Sequence, residues 1–131
     1  MSRPPNILFI MMDDQRHDAF GAFHPVLKTP HLDRLMRGGV YCSRAHLMGS
    51  TVGAVSMPSR AMLHTSRHLD ELVDDGHTIP QNHPLIGEHL RSLGYHTHGG
   101  GKWHQSPASF HRSFDSGGEI HFSGMGEFNL F

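Results

Sequence analysis

The chain has 131 residues, of which 37% are hydrophobic and 18% are charged, as in an ordinary soluble globular protein. This composition excludes collagenous and coiled-coil proteins, and the length predicts a single domain. Eleven basic and twelve acidic side chains give a formal net charge of −1, so no global field favours binding to nucleic acid or to an anionic membrane. The single cysteine, Cys42, cannot form an internal disulfide and is expected to be a buried thiol.

The first apolar run predicts a strand. Residues 6–12 follow two prolines and are continuously apolar after Asn6, which favours a strand of a parallel sheet that is covered on both faces. The run is too short for a signal peptide, and Asp13 and Asp14 interrupt it, so no membrane span is expected. We therefore expect a cytoplasmic protein, or a periplasmic or secreted one if a leader was removed.

The following elements alternate between helix and strand. A helix is predicted over 29–39, because a capping residue and a proline open it and two glycines close it, and a second strand is predicted over 40–46. Another helix is predicted over 82–94 and a short strand over 95–99. From Ser106 onward the pattern indicates loops with short strands. This alternation predicts an α/β fold with polar groups at the strand ends.

Asp13 and Asp14 form the first candidate site, since ligand groups gather at the carboxyl ends of parallel strands. Adjacent carboxylates repel each other unless a cation neutralises them, and hard oxygen ligands suit Ca²⁺ or Mg²⁺. The alternative is a solvated turn that binds no ligand.

Ser56 forms the second candidate site. Pro58 is well placed in the first turn of a helix, where free backbone N–H groups and the helix dipole stabilise an anion close to Ser56. Arg60 lies about one helical turn further on and can face the same side. The alternative is a serine that only caps the helix.

Four blocks of sequence, in order between residues 5 and 104, resemble the type I sulfatases. The most specific block resembles the family signature around its modified residue, although Ser66 stands where the family usually has glycine. The other blocks are the opening strand with its aspartates, the helix after it, and a Gly-Lys-Trp-His segment. The matching positions are 5–10, 13–15, 28–35, Ser56, Pro58, Ser59, Arg60, Leu63, Thr65, Arg67 and 101–104.

The resemblance implies sulfate-ester hydrolysis by a formylglycine made from Ser56. In the family, the aldehyde is hydrated to a gem-diol, of which one hydroxyl attacks sulfur and the other expels sulfate. An unmodified serine would be left as a stable sulfate ester. The resemblance also implies a maturation enzyme that oxidises Ser56, unless this serine replaces a natural cysteine and stays unmodified.

The resemblance assigns the remaining site residues as well. Asp13 and Asp14, with residue 56, would bind Ca²⁺ or Mg²⁺, which would acidify the attacking hydroxyl and neutralise sulfate. Arg60 would hold the hydrated aldehyde, Lys102 a sulfate oxygen, and His104 sulfate or the leaving group. Because Lys102 and His104 alternate along a segment predicted to be extended, both are expected to face one pocket.

The implied fold is the alkaline-phosphatase-like α/β sandwich with a largely parallel sheet, of which residues 1–131 would form the N-terminal part. The family completes its metal shell from a second half, so we expect residues 1–131 to be a truncation or fragment, or to be completed by a homo-oligomer or a complementing chain. The substrate is expected to be a small-molecule or carbohydrate sulfate ester. Two alternatives stay open: a phosphonate monoester or phosphodiester hydrolase of the same superfamily, and a catalytically inactive fragment.

Overall fold

The computed structural model describes residues 4–51, 53 and 55–123. The chain divides into two compact units, Met1–Ala45 and His46–Phe131. Across the described residues, every helix is too short or too polar to cross a membrane. The prediction of a mixed helix and strand fold with a parallel sheet is confirmed, and its sheet lies in the second unit.

The first unit contains helix α1, Pro30–Gly38, which confirms the helix predicted there. The preceding Thr29 links the loop before the helix to its first turn. Its hydroxyl accepts a hydrogen bond from the backbone N–H of Gly21 at 2.8 Å and donates one to the Asp33 carboxylate, also at 2.8 Å. The polar start of α1 therefore fixes the loop that leads into it.

The two strands predicted in this part of the chain are wrong. Residues 6–12 and 40–46 form no β-ladder in the described structure, and the apolar side chains of 7–10 are all exposed. A strand is defined by hydrogen bonds to a neighbouring strand, and an apolar run supplies only half of that requirement. Cys42 is also exposed, so the expectation of a buried thiol is wrong.

The second unit consists of short helices around a two-stranded parallel sheet, in the residues that the structure describes. Helix α3 confirms the helix predicted over 82–94, but α4 lies where only loops and short strands were predicted. The predicted strand over 95–99 is displaced to begin at His98. The elements are α2 (Ser56–Thr65), two 3₁₀ turns (Leu69–Glu71 and Asp74–Gly76), α3 (Ile86–Ser92), β1 (His98–Lys102), α4 (Pro107–Ser113) and β2 (Ser116–His121).

Helix α4 connects β1 to β2, so these elements form a compact β-α-β crossover. Trp103 follows β1 directly and is buried against the rings of Phe110 and Phe114, with centroids 5.7 and 5.5 Å away. The indole N–H donates to the Ser109 hydroxyl at 3.1 Å. One tryptophan thus fastens the end of β1 to the crossover helix, which fixes the residues on either side of it.

Helices α3 and α4 approach each other without intervening side chains at Gly87. A Cβ atom at this position would lie 2.1 Å from the backbone oxygen of Ser113. Arg112 reinforces the contact, since its guanidinium donates to Glu88 at 2.8 and 3.1 Å and to the backbone oxygens of Ile79 and His83. Burial, the largest single effect, would raise the pKa of Glu88, but the hydrogen bonds from Arg112 and from the backbone N–H of Leu85, together with the charges of Arg112 and Arg91, lower it.

Candidate active site

Ser56 is the first residue of α2, and its side chain meets the end of β1. Its Oγ lies 3.2 Å from Nζ of Lys102 and 3.0 Å from Nδ1 of His104. The ammonium donates to the hydroxyl oxygen, and the hydroxyl donates to Nδ1 when that nitrogen carries no proton. The structure therefore brings Ser56 together with two residues that lie 46 and 48 positions further along the chain.

Arg60 lies one turn further along α2, but its guanidinium is buried and donates to the backbone oxygen of Lys102. This hydrogen bond holds the helix against the strand end that carries Lys102. Gln105 makes a second link from the other side, because its Nε2 donates to the backbone oxygen of Met57 at 2.9 Å. The start of α2 and the segment 102–105 are thus joined by backbone contacts as well as by the Ser56 side chain.

His104 reaches Ser56 by leaving the extended conformation. Its φ is +73°, a left-handed value that is uncommon for a residue with a side chain. The backbone N–H groups of Trp103 and His104 both donate to the backbone oxygen of His121, at 2.9 and 3.2 Å, and so hold this turn. Lys102 and His104 do meet at one hydroxyl, as expected, but a turn rather than alternation along a strand brings them there.

Aromatic side chains pack behind the segment that carries Lys102 and His104. His64, on α2, packs against Trp103 with ring centroids 4.5 Å apart and ring planes tilted by 51°, and it meets the Phe114 ring edge-on. Burial, with a smaller contribution from the nearby Arg60 charge, lowers the pKa of His64 to about 4. This histidine is therefore neutral at physiological pH and acts as a packing residue.

Asp13 and Asp14 belong to the first unit, and the structure describes both as exposed. Asp14 has a φ of +52°, a left-handed value that aspartate adopts more readily than most residues with a side chain. Within the described residues, no group of three or more His, Cys, Asp or Glu side chains is arranged to hold a metal ion. Two carboxylates have the right chemistry for Ca²⁺, but they supply only part of its six to eight oxygen ligands.

Sequence reasoning missed three residues that shape this site: Gln105, His64 and the backbone of His121. Gln105 directly follows the Gly-Lys-Trp-His segment, and His64 lies within the signature around Ser56. Their positions next to predicted site residues could therefore have identified both as part of the site. The contribution of His121 had none, because it depends on a strand pairing that could not be read from the chain.

The family model described as Sulfatase matches residues 5–125, which is nearly all of the chain. The chain belongs to the sulfatase family. The resemblance noted in the sequence is thereby confirmed, and the α/β fold is that of the N-terminal part of a sulfatase.

Named sulfatases match the same region. The chain is 31% identical over 106 residues to N-acetylglucosamine-6-O-sulfatase of Bacteroides thetaiotaomicron, covering 79% of this chain and 18% of the relative. It is 34% identical over 113 residues to human Arylsulfatase A (79% and 22%), and 35% identical over 108 residues to the Ulvan-active sulfatase of Formosa agariphila (76% and 19%). The chain thus spans about a fifth of the length of these sulfatases, and no solved structure matches it significantly.

Proposed function

We propose that this chain is the nucleophile-bearing part of a sulfuric-ester hydrolase. The observation that carries the proposal is the convergence of Lys102 and His104 on the Oγ of Ser56, at 3.2 and 3.0 Å. A cation and an imidazole beside one hydroxyl can stabilise a negative charge that develops on its oxygen and can move its proton. Membership of the sulfatase family selects sulfate esters as the substrate class.

Ser56 is proposed to be the residue that a maturation enzyme oxidises to formylglycine. Its position suits this role, because it opens a ten-residue helix whose first-turn N–H groups and dipole favour an anion at that end. When present, the hydrated aldehyde supplies one oxygen to attack sulfur and another to release sulfate. Ser56 thus provides the attachment point, while its neighbours provide the charge and proton transfer.

The neighbours divide these tasks. Lys102 donates to an oxygen on the Ser56 side chain and can neutralise a sulfate oxygen, and His104 can accept or return a proton at Nδ1. Arg60 was expected to hold the aldehyde; its observed hydrogen bond to the Lys102 backbone adds a positioning role for its buried guanidinium. The positive charge on Arg60 still lies on the same helix as Ser56 and adds to the local attraction for anions.

A divalent cation, Ca²⁺ or Mg²⁺, is proposed to bind Asp13 and Asp14, as the resemblance to the family implies. Such an ion would lower the pKa of a bound hydroxyl and neutralise sulfate oxygens. Because the two carboxylates supply only part of a calcium shell, further oxygen ligands must come from other groups. A complementing chain or a second copy of this chain is one proposed source.

A sulfated carbohydrate is the proposed substrate. Several relatives carry a sugar in their names, among them N-acetylglucosamine-6-O-sulfatase and N-acetylgalactosamine-6-sulfatase. Small-molecule aryl sulfates are practical probes of the same chemistry, since another relative is named Arylsulfatase A. The cytoplasm is the proposed location if no leader was removed.

The test combines mass spectrometry with a panel of esters. We expect the peptide that contains Ser56 to have lost two hydrogens, and the matured chain with Ca²⁺ to hydrolyse an aryl sulfate faster than the S56A variant does. Aryl phosphate and phosphonate esters serve as the competing substrates. An unchanged peptide mass with equal rates for wild type and S56A would overturn the proposal, and a higher kcat/KM for phosphonates would reassign the substrate.

A further inference from the structure

The parallel pair β1–β2 contains an irregularity beside the candidate active site. Its register pairs Gly100 with Gly118 but Gly101 with Ile120, so Glu119 is an extra residue on β2. Glu119 has a φ of +53°, which a residue with a side chain seldom adopts. Such bulges occur next to active sites, where they change which side chain faces a given direction.

The consequence of this bulge is that His121, rather than Ile120, lies opposite Lys102. Side chains alternate between the two faces of a strand, and directly paired residues share a face. The side chain of Lys102 reaches Ser56 from its face of the sheet. His121 therefore projects from the face that carries the Lys102 ammonium, on a strand about 5 Å away.

The backbone of His121 is fixed at this place. Its carbonyl oxygen accepts hydrogen bonds from both Trp103 and His104, so residue 121 cannot move independently of the segment that contacts Ser56. Its side chain is only half-buried, which leaves part of the imidazole accessible to a ligand. A held backbone and an accessible ring are the properties required of a residue that positions a substrate.

We propose that His121 is a substrate-binding residue of the candidate active site and that its imidazole donates a hydrogen bond to a sulfate oxygen of the bound ester. The juxtaposition of Lys102 and His121 on one face would give the sulfate two donors from adjacent strands, in addition to His104 from the turn. This inference rests on the proposed function. On this inference, the bulge at Glu119 serves to place the polar side chain of His121, instead of the apolar side chain of Ile120, opposite Lys102.

The first test measures kcat, KM for an aryl sulfate and inhibition by inorganic sulfate in the matured full chain. We expect H121A to raise KM and the sulfate inhibition constant roughly tenfold or more, with a smaller change in kcat, as for a lost hydrogen bond to a charged ligand. H121N keeps an N–H donor and should recover part of the affinity. H111A, which alters an exposed histidine on α4, is the matched control and should leave both constants unchanged.

The second test needs no variant, so a folding defect cannot obscure it. Titration of the wild-type chain with inorganic sulfate should shift the imidazole NMR signals of His121 together with those of His104, while those of His111 stay in place. Unchanged KM and sulfate inhibition in H121A, with no shift of the His121 signals, would overturn the role of His121 alone. If the wild-type chain hydrolyses no sulfate ester and binds no sulfate, the proposed function itself fails, and the role of His121 with it.

Discussion

Ser56 shows how far single residues could be predicted from this sequence. The meeting of Ser56 with Lys102 and His104 was expected from the resemblance, and the structure places their side chains within hydrogen-bond distance. The left-handed turn at His104 was not expected, because it depends on a carbonyl of β2 that is distant in sequence. Local sequence patterns predict which residue types form a site, but they do not predict the tertiary hydrogen bonds that orient the side chains.

His64 gives a prediction about pH. Its pKa is about 4 in the folded chain, below the ordinary value of 6.5, so below pH 6.5 the unfolded chain binds a proton that the folded chain does not. Stability that is fully present above pH 6.5 should therefore be lost as the pH falls towards 4, by about 3 kcal/mol at most from this group. Urea unfolding of wild type and H64F between pH 4 and 8 measures this, and H64F should lose less stability.

The matched control for this prediction is H89Q, which removes an exposed histidine from α3. It should leave the pH dependence of the wild type intact. If H64F and wild type lose stability in parallel over this pH range, His64 is not the group responsible.

At the scale of elements, the helices were predicted better than the strands. Helices α1 and α3 carry their own start and stop signals, and their backbone hydrogen bonds are local. Helix α4 was missed because its seven residues include two serines and only one large apolar side chain, Phe110, so no periodicity is visible. The strands expected over 6–12 and 40–46 depend on partners elsewhere, and no ladder forms in the described residues.

The contact between α3 and α4 gives the second prediction. Alanine is a better helix former than glycine by about 1 kcal/mol, yet a Cβ at Gly87 would collide with the backbone of Ser113. We expect G87A to destabilise the chain by roughly 1 to 3 kcal/mol, because α4 must move away. Thermal unfolding measures the change.

The control is G38A at the end of α1, where a Cβ would meet nothing within 4 Å. This change should be neutral or slightly stabilising. Equal melting temperatures for G87A and the wild type would show that the helices can separate at no cost, contrary to the close approach described above.

At the scale of the whole molecule, an exposed apolar run lies near the N-terminus. Leu8 is 84% exposed and Ile10 71% exposed, within a run that has the pattern of a strand buried on both faces. Extended apolar segments with unpaired backbone groups favour edge-to-edge association. The strand predicted over 6–12 does not form, and the exposure of this run could not be predicted from its composition, since burial is a property of the surrounding fold.

We therefore expect the double variant L8K/I10K to remain soluble at higher concentration than the wild type, with an unchanged melting temperature. The lysines replace exposed side chains, so they remove little buried apolar surface. Light scattering and thermal unfolding measure the two quantities. L85K, at a position that is 1% exposed, is the contrasting variant and should unfold, whereas a large fall in the melting temperature of L8K/I10K would show that the run is packed in solution.

The separation of Ser56 and Lys102 along the chain also determines how long Ser56 exists without Lys102 during synthesis. The ribosome adds about 5 to 20 residues per second, so the 46 residues after Ser56, up to and including Lys102, take roughly 2 to 9 seconds to synthesise. During that interval the serine hydroxyl has neither the ammonium nor the imidazole beside it. An enzyme that oxidises this side chain during translation would thus meet it as an open peptide, before the rest of the pocket exists.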